Sequence, residues 1–198
     1  MKIIIVGATG AIGKKVTANL ESEHEVIKVG SKSGDIQVDI RNPESIEAMF
    51  KAVGSFDALI STVGSGYFGP LKDMTPENFS VGLNDKLLGQ VSLVLIGQHY
   101  INPKGSFTLT SGILSEEPVF ALSNLSTVNG ALNSFTIAAA AELENGVRIN
   151  VVSPGVVEDS PQYFPAFQGH VPVTMDKVVN AYRKSVLGIL TGQVIKVY

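Results

Sequence analysis

The chain has 198 residues, 44% of them hydrophobic, which is enough for one domain with a sizeable buried core. It has no cysteine, so disulfides and Cys-ligated metals are excluded, and its three histidines lie far apart in the sequence, so no metal site is predicted. Fifteen basic and eighteen acidic residues give a net charge of −3, without a Lys/Arg-rich run. We therefore expect small molecules and further copies of the chain as partners, and neither nucleic acid nor a membrane.

The amino-terminal apolar run covers only residues 3–6 and breaks at a glycine. This run is too short for the hydrophobic region of a signal peptide, so a cytoplasmic protein is expected.

Short apolar, β-branched runs alternate with stretches of helical period along the whole chain. Strands are predicted at 2–6, 25–29, 36–39, 58–62, 106–110, 148–153 and 193–197, and helices at 11–22, 43–53, 76–101, 123–144 and 175–189. This alternation is typical of a doubly wound parallel sheet of about seven strands, a three-layer α/β/α Rossmann fold, here one domain over 1–198. In such folds ligands bind at the carboxyl ends of the strands, so function is expected on the loops after Val6, Thr62, Thr110 and Ser153.

The first strand is followed directly by "GATGAIG", in which Gly7, Gly10 and Gly13 recur at three-residue spacing. The first glycine permits a sharp turn, the second lets backbone approach a ligand, and the third allows close packing of helix on strand. The N–H groups at the start of the helix can then bind a pyrophosphate. This turn predicts a dinucleotide site, and its other residues expected at the cofactor are Thr9, Ala11 and Ile12.

The turn after the second strand decides between the two nicotinamide cofactors. An acid there would bind the ribose 2′-hydroxyl, whereas a cation accommodates a 2′-phosphate. Ser31 and Lys32 occupy this turn, which favours NADP(H) by about ten- to a hundred-fold, with NAD still possible. Lys32 as an ordinary solvated lysine is the alternative. Asp39 and Ile40, which end the third predicted strand, are expected to border the adenine.

Residues 118–141 contain no charged side chain. A membrane span, a helix buried in the fold or at a subunit contact, and an active-site wall are the three explanations. Seven Ser, Thr and Asn side chains among residues 123–134 argue against a span. A buried helix and an active-site wall are left, and they are compatible with each other.

Six landmarks in the same order resemble the short-chain dehydrogenase/reductase family over nearly the whole chain. They are "GATGAIG", "DI" at 39–40, "STVG" at 61–64, "LTSG" at 109–112, "RINVVSPG" at 148–155 and "TGQVIKV" near the end. The resemblance implies that Thr62, Val63, Gly64, Pro154 and Gly155 also contact the cofactor.

The chain departs from the family where the catalytic signature Tyr-x-x-x-Lys is expected. "LSTVN" stands there, with Leu125 for the tyrosine and Asn129 for the lysine. Of the family's catalytic groups only the serine is kept, as Ser111, and Lys86 takes the place of an asparagine on the preceding helix. The resemblance thus makes Ser111, Lys86 and Asn129 the candidate catalytic residues.

Other side chains could compensate for the lost tyrosine, each with an alternative. The candidates are Lys86, Tyr67, Ser123 and Tyr163. Their alternative roles are, in the same order, a surface lysine, an aromatic side chain that packs a loop, a helix N-cap and a lid residue.

Two functions follow from these residues. The first is an NADP(H)-dependent oxidoreductase of a small carbonyl compound or alcohol, with a rearranged proton donor. A small substrate or an open pocket is expected because the segment between "SPG" and Thr174 is short. The second is a catalytically inactive NAD(P)-binding regulatory or sensor protein. In both, the apolar helices 76–101 and 123–144 predict a homodimer or homotetramer.

Overall fold

The computed structural model describes all residues 1–198, and they form one seven-stranded parallel sheet with helices on both faces. The strand order is β3-β2-β1-β4-β5-β6-β7. The strands are β1 (Lys2–Val6), β2 (Glu25–Gly30), β3 (Ile36–Gln37), β4 (Phe56–Ser61), β5 (Ile101–Thr110), β6 (Arg148–Pro154) and β7 (Val194–Val197). The predicted doubly wound α/β fold is confirmed.

Six α-helices cover the sheet. They are α1 (Ala11–Leu20), α2 (Pro43–Val53), α3 (Pro76–Gly82), α4 (Leu88–Gly97), α5 (Ser123–Glu142) and α6 (Met175–Leu187). Phe50, Leu93 and Leu132 place α2, α4 and α5 in one core cluster, and Val16 and Val178 place α1 and α6 in the other. The sheet lies between these two clusters, and the strand order reverses between β1 and β4, so a ligand cleft is expected beside those strands.

The predicted helix over 76–101 is observed as one continuous helical segment, Pro76–Gly97, which ends four residues earlier than predicted. Within it a wide π-type turn, Leu83–Leu87, joins α3 to α4, and the Leu88 N–H bonds to the Leu83 carbonyl five residues back. Such turns are rare and occur often at functional sites. Periodicity does not reveal the extra residue, because the apolar pattern continues on both sides of it.

The segment Pro76–Gly97 has the length and mean hydropathy (1.2) of a membrane-crossing helix. Leu93 and Val94 of this segment lie in the protein core, and core helices commonly share this composition.

Strand β5 begins at Ile101 and not at residue 106 as predicted. The sequence "NPKG" indicates a turn, and Lys104 does have a positive φ of 64°. The register of β4 against β5 shifts between Phe56 and Ala58, which accommodates these residues as an irregularity within the strand.

Helix α5 begins without a side-chain cap. Its N-cap position is Leu122, and Ser123 is the first helical residue, so the alternative role of Ser123 as an N-cap is wrong. The buried Asn124 fixes this end instead: its Oδ1 accepts from the Tyr67 N–H at 2.8 Å, and its Nδ2 donates to the Phe79 carbonyl at 2.6 Å. The uncharged stretch is therefore mainly a helix packed against the sheet and the loops beside it.

Candidate functional site

A cleft of about 570 Å³ lies at the carboxyl ends of β1, β2 and β4. We call it the glycine-loop cavity. Its lining includes ten of the residues predicted to bind the cofactor, namely Gly7, Thr9, Gly10, Ser31, Lys32, Asp39, Ile40, Thr62, Val63 and Gly64. These residues come from four separate segments of the sequence, and the fold brings them together.

The three glycines of the turn have different steric tasks. Gly7 has φ +89°, which favours glycine. A Cβ on Gly13 would collide with the Gly7 carbonyl oxygen, so Gly13 allows α1 to pack on the turn and lines no part of this cavity. A Cβ on Gly10 would meet nothing closer than the Gly7 oxygen at 3.4 Å. Gly10 therefore leaves an open approach to the start of α1, as a pyrophosphate requires.

Two cations and two carboxylates line the glycine-loop cavity. Arg41 binds Asp39 through two hydrogen bonds, of 2.9 and 3.0 Å, and this contact lowers the pKa of the Asp39 carboxyl. The Asp85 carboxylate accepts a hydrogen bond from the Ser65 hydroxyl. Lys32 is exposed and makes no ion pair. Lys32 is thus the cation of this cavity that no carboxylate neutralises.

Three residues of this cavity were not predicted from the sequence: Arg41, Ser65 and Asp85. Arg41 directly follows the "DI" landmark and could have been found from that position. Asp85 could not, because only the π-type turn brings it to the cleft.

A second cavity of about 300 Å³ adjoins the first, and Thr62 lines both. We call it the central cavity. The predicted residues on its wall are Ala11, Ile12, Thr62, Lys86, Ser111, Asn129, Pro154 and Gly155. The three candidate catalytic residues therefore lie around one space.

Lys86 projects from the π-type turn into the wall of the central cavity. Its residue is only 9% exposed, and its Nζ donates a hydrogen bond of 3.0 Å to the Ser111 carbonyl oxygen. The lysine makes no ion pair. Burial without a countercharge lowers its pKa to about 8. Its interpretation as a surface lysine is wrong.

Ser111 and Asn129 complete the polar part of the central cavity. Both residues are buried, and the Ser111 hydroxyl and the Asn129 Oδ1 have no hydrogen-bond partner. Such orphaned groups are costly unless a ligand or water satisfies them. Leu125 lies one turn before Asn129 on α5 and lines the same cavity, so the two positions of the lost signature do face the site.

A third cavity, about 290 Å³, lies beyond Lys86, and we call it the outer cavity. It shares Lys86, Leu114, Leu125, Tyr163 and Phe167 with the central cavity. The rings of Phe68 and Tyr163 stack at its wall, with centroids 6.3 Å apart and an interplanar angle of 9°. Tyr163, an expected lid residue, is thus paired with Phe68. Phe68 was not predicted as a site residue, because a single phenylalanine in a loop belongs to no sequence pattern.

Two other candidates from the sequence lie outside the three cavities. The Tyr67 ring packs over Gly69, and the Ser123 hydroxyl points to Met74 Sδ at 4.0 Å. Neither residue lines the central or outer cavity.

The sequence and the fold match those of known oxidoreductases. A family model described as enoyl-(acyl carrier protein) reductase matches residues 3–171. The chain therefore belongs to the short-chain dehydrogenase/reductase family.

The chain is similar to the protein lin1944 from Listeria innocua, whose crystal structure superposes with a TM-score of 0.98. The two sequences are 46% identical, and the match covers 100% of both chains. The crystal structure of a small-chain dehydrogenase in complex with NADPH is 28% identical, with a TM-score of 0.89 over 100% of this chain and 96% of that one. General stress protein 39 of Bacillus subtilis is 26% identical over 137 residues, which are 68% of this chain and 48% of that protein. The chain thus spans about half the length of this curated relative.

Proposed function

We propose that this protein is an NADP(H)-dependent oxidoreductase that interconverts a carbonyl compound and its alcohol, with Lys86 as the proton donor. One observation carries the proposal: a buried ammonium without a carboxylate partner stands where the central and outer cavities meet.

The residues of the glycine-loop cavity fit the ADP-ribose half of NADP(H). Gly10 leaves room at the start of α1, and Lys32 offers its charge to a 2′-phosphate. Ala11, Ile12, Pro154 and Gly155 would hold the nicotinamide half in the central cavity. NADPH bound there supplies the hydride. The solved small-chain dehydrogenase complex with NADPH supports the choice of cofactor.

Lys86 and Ser111 would act on the substrate oxygen. The Ser111 hydroxyl has no partner in the protein and can donate a hydrogen bond to a carbonyl oxygen. Lys86 would give that oxygen a proton, and a pKa near 8 suits a general acid at neutral pH. Asn129, which is uncharged, would orient the ligand through its amide.

A cofactor-binding sensor without turnover is the second candidate. The replacement of the tyrosine position by Leu125 favours it, because a leucine side chain cannot transfer a proton. It predicts NADPH binding without oxidation of NADPH by any carbonyl compound.

NADPH oxidation with a panel of aldehydes and ketones, together with calorimetric binding of NADPH, separates the two candidates. The oxidoreductase predicts turnover that Lys86→Met reduces by about 10²–10⁴-fold and that the matched variant of an exposed lysine, Lys51→Met, retains. Binding of NADPH without its oxidation by any compound of the panel would favour the sensor and contradict the oxidoreductase. Absence of NADPH and NADH binding would refute both.

Self-association is part of the same proposal. Leu88 and Leu95 on α4 and Ile137 on α5 are more than half exposed, at 51%, 52% and 57%. Apolar helix faces of this kind favour a symmetric contact between copies of the chain. Light scattering should show a dimer or tetramer, and a monomer at micromolar concentration would contradict this part. The cytoplasmic location stays a prediction from the sequence.

A further inference from the structure

The outer cavity is the part of the molecule that the proposed reaction does not explain. It lies between Lys86 and the loop that carries Gly66 and Phe68, and it shares Gly64 and Ser65 with the glycine-loop cavity. Its volume of about 290 Å³ is just below the range of roughly 300–1,000 Å³ that is typical of small-molecule pockets. This space fits a compound of one or two rings and is too small for a long acyl chain.

Six of the ten residues that line the outer cavity are hydrophobic, and three of these six are aromatic. Leu114, Leu122 and Leu125 form the inner side, and Phe68, Tyr163 and Phe167 supply three rings. The parallel Phe68–Tyr163 pair fixes the orientation of two of these rings, and His170 holds Phe167 edge to face at 5.4 Å. Aromatic rings at defined angles favour another flat ring through stacked or edge-to-face contacts.

The charge pattern restricts the ligand further. No carboxylate lines the central or the outer cavity, and Lys86 is the cation at their junction. A cationic ligand would find no countercharge here, whereas an electron-rich oxygen would meet the Lys86 ammonium and the free Ser111 hydroxyl. A buried unpaired ammonium is costly and is relieved by such a ligand.

We infer that the outer cavity takes an aryl carbonyl compound, with its oxygen at Lys86 and Ser111 and its ring system beneath Phe68 and Tyr163. The inference deepens the proposed function and rests on it for the reaction at the carbonyl carbon. The inference is more specific than the prediction of a small substrate. It predicts that the outer cavity selects its ligand by the planarity of the ligand's rings as well as by the ligand's size.

Binding of two ketones of the same skeleton tests this inference. The probes are 2-acetylnaphthalene and its fully saturated counterpart, 2-acetyldecalin, titrated by calorimetry with and without NADP⁺, which cannot deliver a hydride. The wild type is expected to bind the naphthyl ketone about ten-fold more tightly than the saturated one, since stacking adds to burial of apolar area. Equal affinities for the two ketones would overturn the inference.

Variants locate the preference. Phe68→Ala and Tyr163→Ala each remove one half-exposed ring of the stacked pair. Each substitution should reduce the preference for the naphthyl ketone over the saturated ketone several-fold. Phe120→Ala is the matched control, because Phe120 is 84% exposed and lines neither cavity, and it should retain the preference. A preference that survives both Phe68→Ala and Tyr163→Ala would place the ketone elsewhere and contradict the inference.

NADPH oxidation with the same two ketones is measured separately. Tighter binding of the naphthyl ketone without turnover would support the aryl site and contradict the reductase. Turnover of both ketones with equal affinity would support the reductase and overturn the aryl site.

Discussion

The glycine-loop cavity and the central cavity are neighbours, yet they depart from the family pattern to very different degrees. The glycine-loop cavity keeps the three-glycine turn and the "DI" and "STVG" landmarks. In the central cavity Leu125 and Asn129 occupy the signature positions, and the cation is supplied by Lys86 from the turn before α4.

The difference follows from what shapes each cavity. The backbone of the glycine turn shapes the first, since Gly7 has a φ of +89° and a Cβ there would lie 2.6 Å from the Val63 side chain, so few substitutions are tolerated at this position. The ends of side chains shape the central cavity. A positive charge can reach the same space from α5 or from the adjacent π-type turn, because both line it. A binding site made of backbone is therefore easier to recognise in a sequence than a catalytic site made of side chains.

The largest expected effect is on turnover in Lys86→Met. If Lys86 is the proton donor, the variant should lose about 10²–10⁴-fold in kcat, as general acids contribute. Leu125→Tyr should not restore the activity, because the lysine that lowers the pKa of the tyrosine in the family is Asn129 here. Steady-state kinetics on both variants measures these effects. A wild-type rate in Lys86→Met would show that Lys86 is not the proton donor.

Cofactor choice gives the next effect. Lys32→Ala should weaken NADPH binding by about ten- to a hundred-fold and leave NADH binding nearly unchanged, because only NADPH carries the 2′-phosphate. The loss should be greater at low salt, where an exposed charge is less screened. Calorimetry with both cofactors measures it. Equal affinity of the wild type for NADPH and NADH would show that Lys32 is an ordinary surface lysine.

Two alanine substitutions separate folding from binding in the glycine turn. Gly13→Ala should destabilise the fold by about 1–3 kcal/mol, because its Cβ has no room against the turn. Gly10→Ala should leave the free energy of unfolding nearly unchanged, since Gly10 has φ −73° and its Cβ would be free of clashes, while NADPH binding weakens. Urea unfolding and calorimetry on the pair give the test. A strongly destabilised Gly10→Ala would contradict this division of tasks.

The smallest effect is on the pH dependence of stability. The pKa of Lys86 is lowered from 10.5 to about 8 in the folded state, so between these values the unfolded chain binds more protons and stability rises with pH. Relative to Lys86→Met, the wild type should gain on the order of 1 kcal/mol between about pH 7 and about pH 9. Parallel pH curves of the two proteins in urea unfolding would show that Lys86 is not buried as an ammonium.

Much of this molecule could be predicted from its sequence. The β-branched runs and the glycine turn were enough for the parallel sheet, and the resemblance placed Ser111 and Asn129 at a common site. The π-type turn inside the helical segment Pro76–Gly97 could not be predicted, because it adds one residue without breaking the apolar period. The aromatic wall was missed for another reason: Phe68 and Tyr163 meet only through tertiary packing, and neither belongs to a periodic or spaced motif.

The most direct test of the central claim is the pH dependence of NADPH-driven carbonyl reduction. If the Lys86 ammonium donates the proton, kcat/KM, which reports the pKa values of the free enzyme, should be constant at lower pH and fall as pH rises through about 8, where Lys86 loses its proton. The alkaline fall should be absent from the residual activity of Lys86→Met. A rate that stays constant through this range in the wild type, or an identical fall in Lys86→Met, would contradict a catalytic role for Lys86.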